Sequence, residues 1–240
     1  MLVEPPPIVS FQAAAAMAEV AHANACAINI RIASSAECHA AAGALIHKMY
    51  AWRGYALDSG AANAANMMTL FAEANGALLG TMSLWFDLHG TLPADELYKD
   101  RLDQLRRQGR RLCEPSRLAI DPGLPKRVFA ALIHVSYIHA HHLHGYSDYV
   151  IEVNPRHVAF YKRMLGFADL GAELACARVG APAVLLRLPL EYMGEQIRRW
   201  GGQLDQGSAA KSFYPYFFAQ REEAAIVGRL AGSCAQGSAA

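Results

Sequence analysis

The sequence predicts a mixed α/β (α+β) domain, with a central mixed, mostly antiparallel sheet, helices on both faces and a C-terminal helical extension. Three observations predict it. Short apolar or period-two segments alternate with amphipathic helical segments in the order β, α, β, β, α, β, α, β, α, β, β. Asn75-Gly76 separates two β-rich runs and is a strong hairpin signal. Tyr149 to Asn154 runs directly into Pro155 and an amphipathic helix stopped by Gly166. Such a unit presents polar groups at the carboxyl end of a strand, where open α/β sheets bind ligands. With 240 residues, one domain is expected rather than two.

Residues 1–26 are alanine-rich and are expected to form a poorly ordered leader. Small residues there match signal-peptidase spacing, but Glu4, three prolines, Glu19 and His22 speak against a signal peptide. The domain is expected over 27–190, beginning with the alternating strand Ile28 to Ile32. Ser34 and Glu37 form a capping box for a helix reaching Trp52, with Gly54 as its stop. Residues 55–67 read as a loop, followed by the hairpin strands Met68 to Ala74 and Ala77 to Phe86. Pro93 opens a helix to about Arg107, closed by Gly109.

The strand Leu112 to Ile120 contains Pro115, which cannot donate a ladder hydrogen bond and so predicts a bulge there. Pro125 opens a helix to about His144, roughly 30 Å long. The helix after Asn154 puts Val158, Phe160, Tyr161, Met164 and Leu165 on its buried side. A last hairpin follows, Ala172 to Arg178 with Ala183 to Leu188. Residues 191–240 then form a helical and aromatic extension containing the run SFYPYFF.

A net charge of +1 gives no global argument for nucleic-acid binding. Five scattered cysteines, none spaced C-x-x-C, indicate neither a zinc site nor a disulfide framework, and a reducing cytoplasm is the simplest inference. No apolar run reaches the roughly 20 residues of a membrane span, so no integral membrane association is expected. His134, His139, His141, His142 and His144 are distributed around a helix without a carboxylate in register, which reads as a polar helix end and not a metal site.

The stretch DYVIEVNPRHVAFYKRMLGF resembles the acyl-CoA-binding fold of GNAT acyltransferases. Together with GRRLCEPSRLAIDP and AELACARVGAPAVLLRLPL, it is similar to long-chain N-acyl amino acid synthases of the FeeM type. The Glu114 to Arg117 segment is also similar to acyl-homoserine-lactone synthases, which share the fold. The resemblance implies an acyltransferase moving a long-chain acyl group from an acyl carrier protein, or from acyl-CoA, to the amine of an amino acid. It implies no permanent cofactor, only an acyl-phosphopantetheine thioester as donor substrate. Two alternatives stay open: a lactone-synthase-like enzyme, and a non-catalytic acyl or carrier-protein binding module.

The sequence also departs from these relatives. Arginines expected in the first helix and after the hairpin are replaced by His47-Lys48-Met49-Tyr50 and Gly80-Thr81-Met82-Ser83. Tyr161 lies one residue further from Gly166 than is common. The glycine-rich pyrophosphate loop is replaced by residues 121–127, which favours a carrier-bound pantetheine with its single phosphate.

Amide formation from a thioester needs a deprotonated amine, a polarised carbonyl and a protonated leaving thiolate. Glu114 is the candidate base and Glu152 its rival; the bland reading pairs Glu114 with Arg117 as a structural ion pair. On an unbulged strand Glu114, Ser116, Leu118 and Ile120 would share one face. Arg117 and Tyr161 complete the catalytic set that the resemblance implies, with Tyr161 protonating the thiolate. Ala119, Ile120, Asn154 and Arg156 are placed by it along the pantetheine arm, and Lys126 and Arg127, at a helix start, at its phosphate. Asn154 also reads simply as a helix cap, and Tyr161 as a core tyrosine with a wet tip. Arg106, Arg107, Arg110, Arg111, Lys162 and Arg163 join these cations as an edge suited to an acidic carrier, or are ordinary solvated faces.

Overall fold

The computed structural model describes residues 7–12, 27–33, 35–51, 64–88, 90–206 and 211–237. Its strands are β1 (Val9–Gln12), β2 (Ala27–Ile32), β3 (Met67–Ala74), β4 (Ala77–Phe86), β5 (Leu112–Ile120), β6 (Asp148–Val153), β7 (Ala168–Asp169), β8 (Leu174–Cys176) and β9 (Ala181–Pro189). The helices are α1 (Ala36–Ala51), α2 (Asp95–Arg107), α3 (Lys126–Tyr137), α4 (Pro155–Leu165), α5 (Leu190–Trp200) and α6 (Gln220–Gly237). A π-helical segment, Ile138–Leu143, continues α3.

The sheet runs β1-β2-β3-β4-β5-β6-β9-β7, with β8 also on β9. Every pairing is antiparallel except β5 with β6. The β3–β4 hairpin turns at Asn75 and Gly76, both at positive φ (51° and 76°), a conformation these two residue types tolerate. Gly166 ends α4 at φ 86°, and a Cβ there would meet the Tyr192 ring at 2.5 Å, so both backbone and packing demand glycine.

α1 and α2 cover one face of the sheet. Leu45 and Ile46 of α1 pack on Ala119, and Tyr98, Leu102 and Leu105 of α2 pack with Trp85, Leu112, Val150 and Leu185. The opposite face carries the main core, where α3 contributes Val128 to Tyr137 against Ile28, Ile30, Leu70, Met82 and Leu84.

Several expectations are corrected. Residues 9–12 form an edge strand within the stretch read as a leader, because Ile8, Val9 and Phe11 are buried in the main core and Arg229 Nε donates to the Ile8 carbonyl at 2.9 Å. Residues 13–26 lie outside the described residues, as do Ser34, Trp52, Gly54 and most of the 55–67 loop. Ser35 caps α1, accepting from the Cys38 N–H at 3.2 Å.

The bulge lies not at Pro115, which stands opposite Leu84, but between the Ser83–Ser116 and Thr81–Ala119 pairs, where Arg117 has φ 51°. Past the bulge the faces exchange, so Leu118 and Ile120 pack toward the main core instead of sharing the face of Glu114. Of the residues assigned to the buried side of α4, only Leu165 is fully buried. That face fronts a cavity.

The aromatic run packs onto the core, as its bland reading held. Phe217 and Phe218 are fully buried, and the Tyr214 hydroxyl donates to the Leu165 carbonyl at 2.6 Å. Phe218→Ala is expected to lower unfolding free energy by about 3–5 kcal/mol. Urea denaturation would show this as a single shifted transition; a change within 0.5 kcal/mol, roughly the scatter of surface substitutions, would mean the extension is dispensable to the core.

Candidate active site

β5 and β6 pair only through Leu112–Asp148 and Cys113–Tyr149, and then part. Backbone polar groups on their facing edges no longer bond each other beyond that point. The gap opens a cavity of about 740 Å³, within the range of small-molecule sites. Its two ends differ in chemistry. On the α2 face the wall includes Trp85, Glu114, Glu152, Cys176 and Arg178, while on the α3 and α4 face it includes Phe129, Ile133, Phe160, Tyr161 and Leu165.

Glu114 is 2% exposed. Its Oε2 accepts from the Ala94 N–H at 2.9 Å, just before α2. Burial pushes its carboxyl from the ordinary 4.5 up to about 8, and the neighbouring Glu152 charge pushes the same way. The Ala94 bond and the Arg178 charge oppose the rise without cancelling it. A carboxyl with a pKa near neutrality, at the wall of a cavity, suits proton transfer.

Glu152 is also raised, first by burial, while the Arg178 charge and hydrogen bond pull it back. Arg178 Nη2 donates to Glu152 Oε2, and Nη1 donates to the Pro93 carbonyl at 2.8 Å and lies 3.4 Å from Glu96. One guanidinium therefore braces both Glu152 and the loop whose Ala94 N–H holds Glu114. That loop is anchored again by Arg106, which bonds Asp87 at 2.7 Å and Asp95 at 2.6 Å.

Asn154 caps α4, accepting from the Arg156 N–H at 3.3 Å, and donates to the Pro182 carbonyl at 3.3 Å. It lines the cavity as well as capping the helix. Tyr161 lines it too and packs edge-on against Phe167. Arg117 and Ile120 also belong to the wall. Ala119 does not, as its side chain is buried under α1. Arg156 is exposed on α4.

Lys126 and Arg127 do not line the cavity. Lys126 lies over the Tyr216 ring, and Arg127 lies over Phe11 and Phe218 and 3.5 Å from Glu222. The Arg127 guanidinium bridges β1 and the C-terminal extension. The proposed basic edge is also thinned by internal pairing, with Arg106 on aspartates, Arg110 on Asp148 and Lys162 on Asp169.

Among the described residues no cluster of three or more His, Cys, Asp or Glu is arranged to hold a metal. Instead, His134 accepts from the Phe218 N–H at 3.1 Å, and His142 meets Glu223 at 2.7 Å, binding α6 to the core. No described helix is long and apolar enough to cross a membrane.

The family model of the N-acyl amino acid synthase FeeM matches residues 41–189. The chain belongs to the FeeM N-acyl amino acid synthase family. It is an acyltransferase with a GNAT-like fold. The solved structure of FeeM, an N-acyl amino acid synthase from uncultured soil microbes, is 26% identical with a TM-score of 0.65, covering 71% of this chain and 94% of that one. Escherichia coli ElaA, at 10% identity and a TM-score of 0.50, covers 66% of this chain and 98% of its own and shares the fold. No significant match to a curated protein sequence is found.

Sequence reasoning about this synthase missed Arg178 and the Ala94 N–H. A signal for Arg178 existed, because Glu152 in an apolar strand requires a cation, and the antiparallel β6–β9 register returns the chain to its side. Ala94 offered none, since its contribution is a backbone group.

The raised Glu114 pKa has a stability consequence. Between about pH 4.5 and 8 the folded chain holds a proton on Glu114 that the unfolded chain has lost, so this group's contribution is full below 4.5 and falls as pH rises through 8. Urea unfolding should show wild type losing up to about 1.4 kcal/mol per pH unit relative to Glu114→Gln across that window. Parallel pH profiles for the two proteins would contradict the shift.

Proposed function

We propose that this synthase transfers a long-chain acyl group from an acyl carrier protein thioester to the amine of an amino acid, in the cytoplasm, with Glu114 as general base. The observation that carries the reading is a buried carboxyl, poised near neutrality, in the wall of a cavity whose opposite end is apolar and aromatic. The apolar end suits a fatty chain; the acidic end suits an amine. Residues 27–190 hold this machinery, and 191–240 support it through the core.

Glu114, as carboxylate, takes a proton from the acceptor ammonium, directly or through a water. The freed amine attacks the thioester carbonyl, whose oxygen faces backbone N–H groups along the parted strands. The C–N bond forms, the C–S bond breaks as the Tyr161 hydroxyl protonates the leaving thiolate, and the second proton released by the nitrogen restores the Tyr161 hydroxyl, directly or through water. The Asn154 amide orients the pantetheine arm, and Arg117 lies beside the reacting end.

Preference for a carrier-bound donor is supported by residues 121–127. Pro122 and Pro125 remove two backbone N–H groups from the position where the several phosphates of coenzyme A need a cradle. Exposed Arg156 and Arg163 on α4, and Lys126 at the start of α3, suit an acidic carrier surface.

Incubation with mixed amino acids and a chain-length series of acyl carrier proteins, read by mass spectrometry, should yield N-acyl amino acids. Equal rates with free acyl-CoA would remove the carrier argument. Glu114→Gln should lower kcat at least about 100-fold while donor affinity stays within about twofold. Unchanged turnover would place the base elsewhere.

A further inference from the structure

Four buried side-chain polar atoms among the described residues lack a hydrogen-bond partner, and of these only Glu152 Oε1 sits on a residue that lines the cavity. A buried carboxylate oxygen without a donor is costly, so its persistence calls for an explanation. The Glu152 side chain is 7% exposed and its other oxygen is held by Arg178. Arg178 is itself braced by the Pro93 carbonyl and by Glu96, which fixes Glu152 in one orientation.

Charge balance gives the missing donor a sign. Glu152 and the half-exposed Glu96 share one guanidinium, so even with Glu114 protonated the group carries one net negative charge. A cationic N–H donor would neutralise that charge and satisfy Oε1 in a single contact. We propose that Glu152 anchors the ammonium of the acceptor beside Glu114, with Arg178 as the positioning residue that holds its second oxygen. The inference rests on the amine-acylation reading above and adds the subsite that selects the amine.

The arrangement divides the work. Glu152 binds the ammonium, whose positive charge favours ionisation of Glu114 next to it; Glu114 loses its resting proton to solvent and then accepts one from the bound ammonium.

Two measurements test this, the first of them independent of turnover. Calorimetric titration of the wild-type protein with each of the twenty amino acids, without donor, should find binding by at least one of them. The α-hydroxy acid matching that amino acid, which lacks the ammonium, should bind at least about tenfold more weakly. Equal binding of the two, or no amino acid binding at all, overturns the proposal without involving any variant. In kinetics with acyl carrier protein donor, Glu152→Gln should raise KM for the amino acid at least about tenfold with donor KM unchanged, and the same variant should lose calorimetric binding. Glu114→Gln should retain that binding and lose kcat. Unaltered amino acid affinity in a folded Glu152→Gln protein, checked by its melting profile, sinks the subsite while leaving the acyltransfer reading intact. Wild-type binding without product from any donor does the reverse.

Discussion

Parallel strands β5 and β6 share only two residue pairs, at the root of β6, and part from Glu114 onward, ahead of the bulge at Arg117. The root is the Asp148 carboxylate, fully buried and gripped by Arg110 at 2.5 Å and Arg187 at 2.7 Å. A buried carboxylate with two guanidiniums is stable only where its partners stay in place, so the point of divergence is fixed. Everything described as the site occupies the wedge that opens beyond it.

The wedge explains the two-sided chemistry. A closed sheet would separate the α2 face from the α3 and α4 face, and no molecule would reach both. Where the strands part, Glu114 and Glu152 on one side share a cavity with Phe129, Phe160 and Tyr161 on the other. Burial there raises the Glu114 pKa, and the brace from Arg178 and Ala94 keeps the carboxyl in place despite the cost of desolvation. The C-terminal extension contributes from behind, where Phe213 packs against Phe129 with centroids 4.6 Å apart.

Local chemistry made much of this legible. Asn75-Gly76, Pro155 and Gly166 encode their turn and helix ends through backbone preference alone, Glu152 stood out as a charge within an apolar strand, and Glu114 was singled out by the family resemblance. Long-range facts were hidden. β1 is cut off from its sheet by an alanine-rich segment, and its core partners lie as far away as Arg229. Pro115 pointed to a bulge but stands in register, because it lies just past the last pair with β6, where a missing N–H leaves no neighbour unsatisfied. The bulge falls on an arginine at positive φ, a conformation that residue type does not advertise. The Arg127 side chain looked suited to phosphate until the extension folded over it.

The central claim is that Glu114 is a neutral acid in the resting wedge and becomes a base near pH 8. Infrared difference titration of wild type against Glu114→Gln observes that proton directly. A protonated-carboxyl band present at neutral pH and disappearing with a midpoint near 8 is the expected result. A band already gone by about pH 5, the range of an ordinary glutamate, would contradict it.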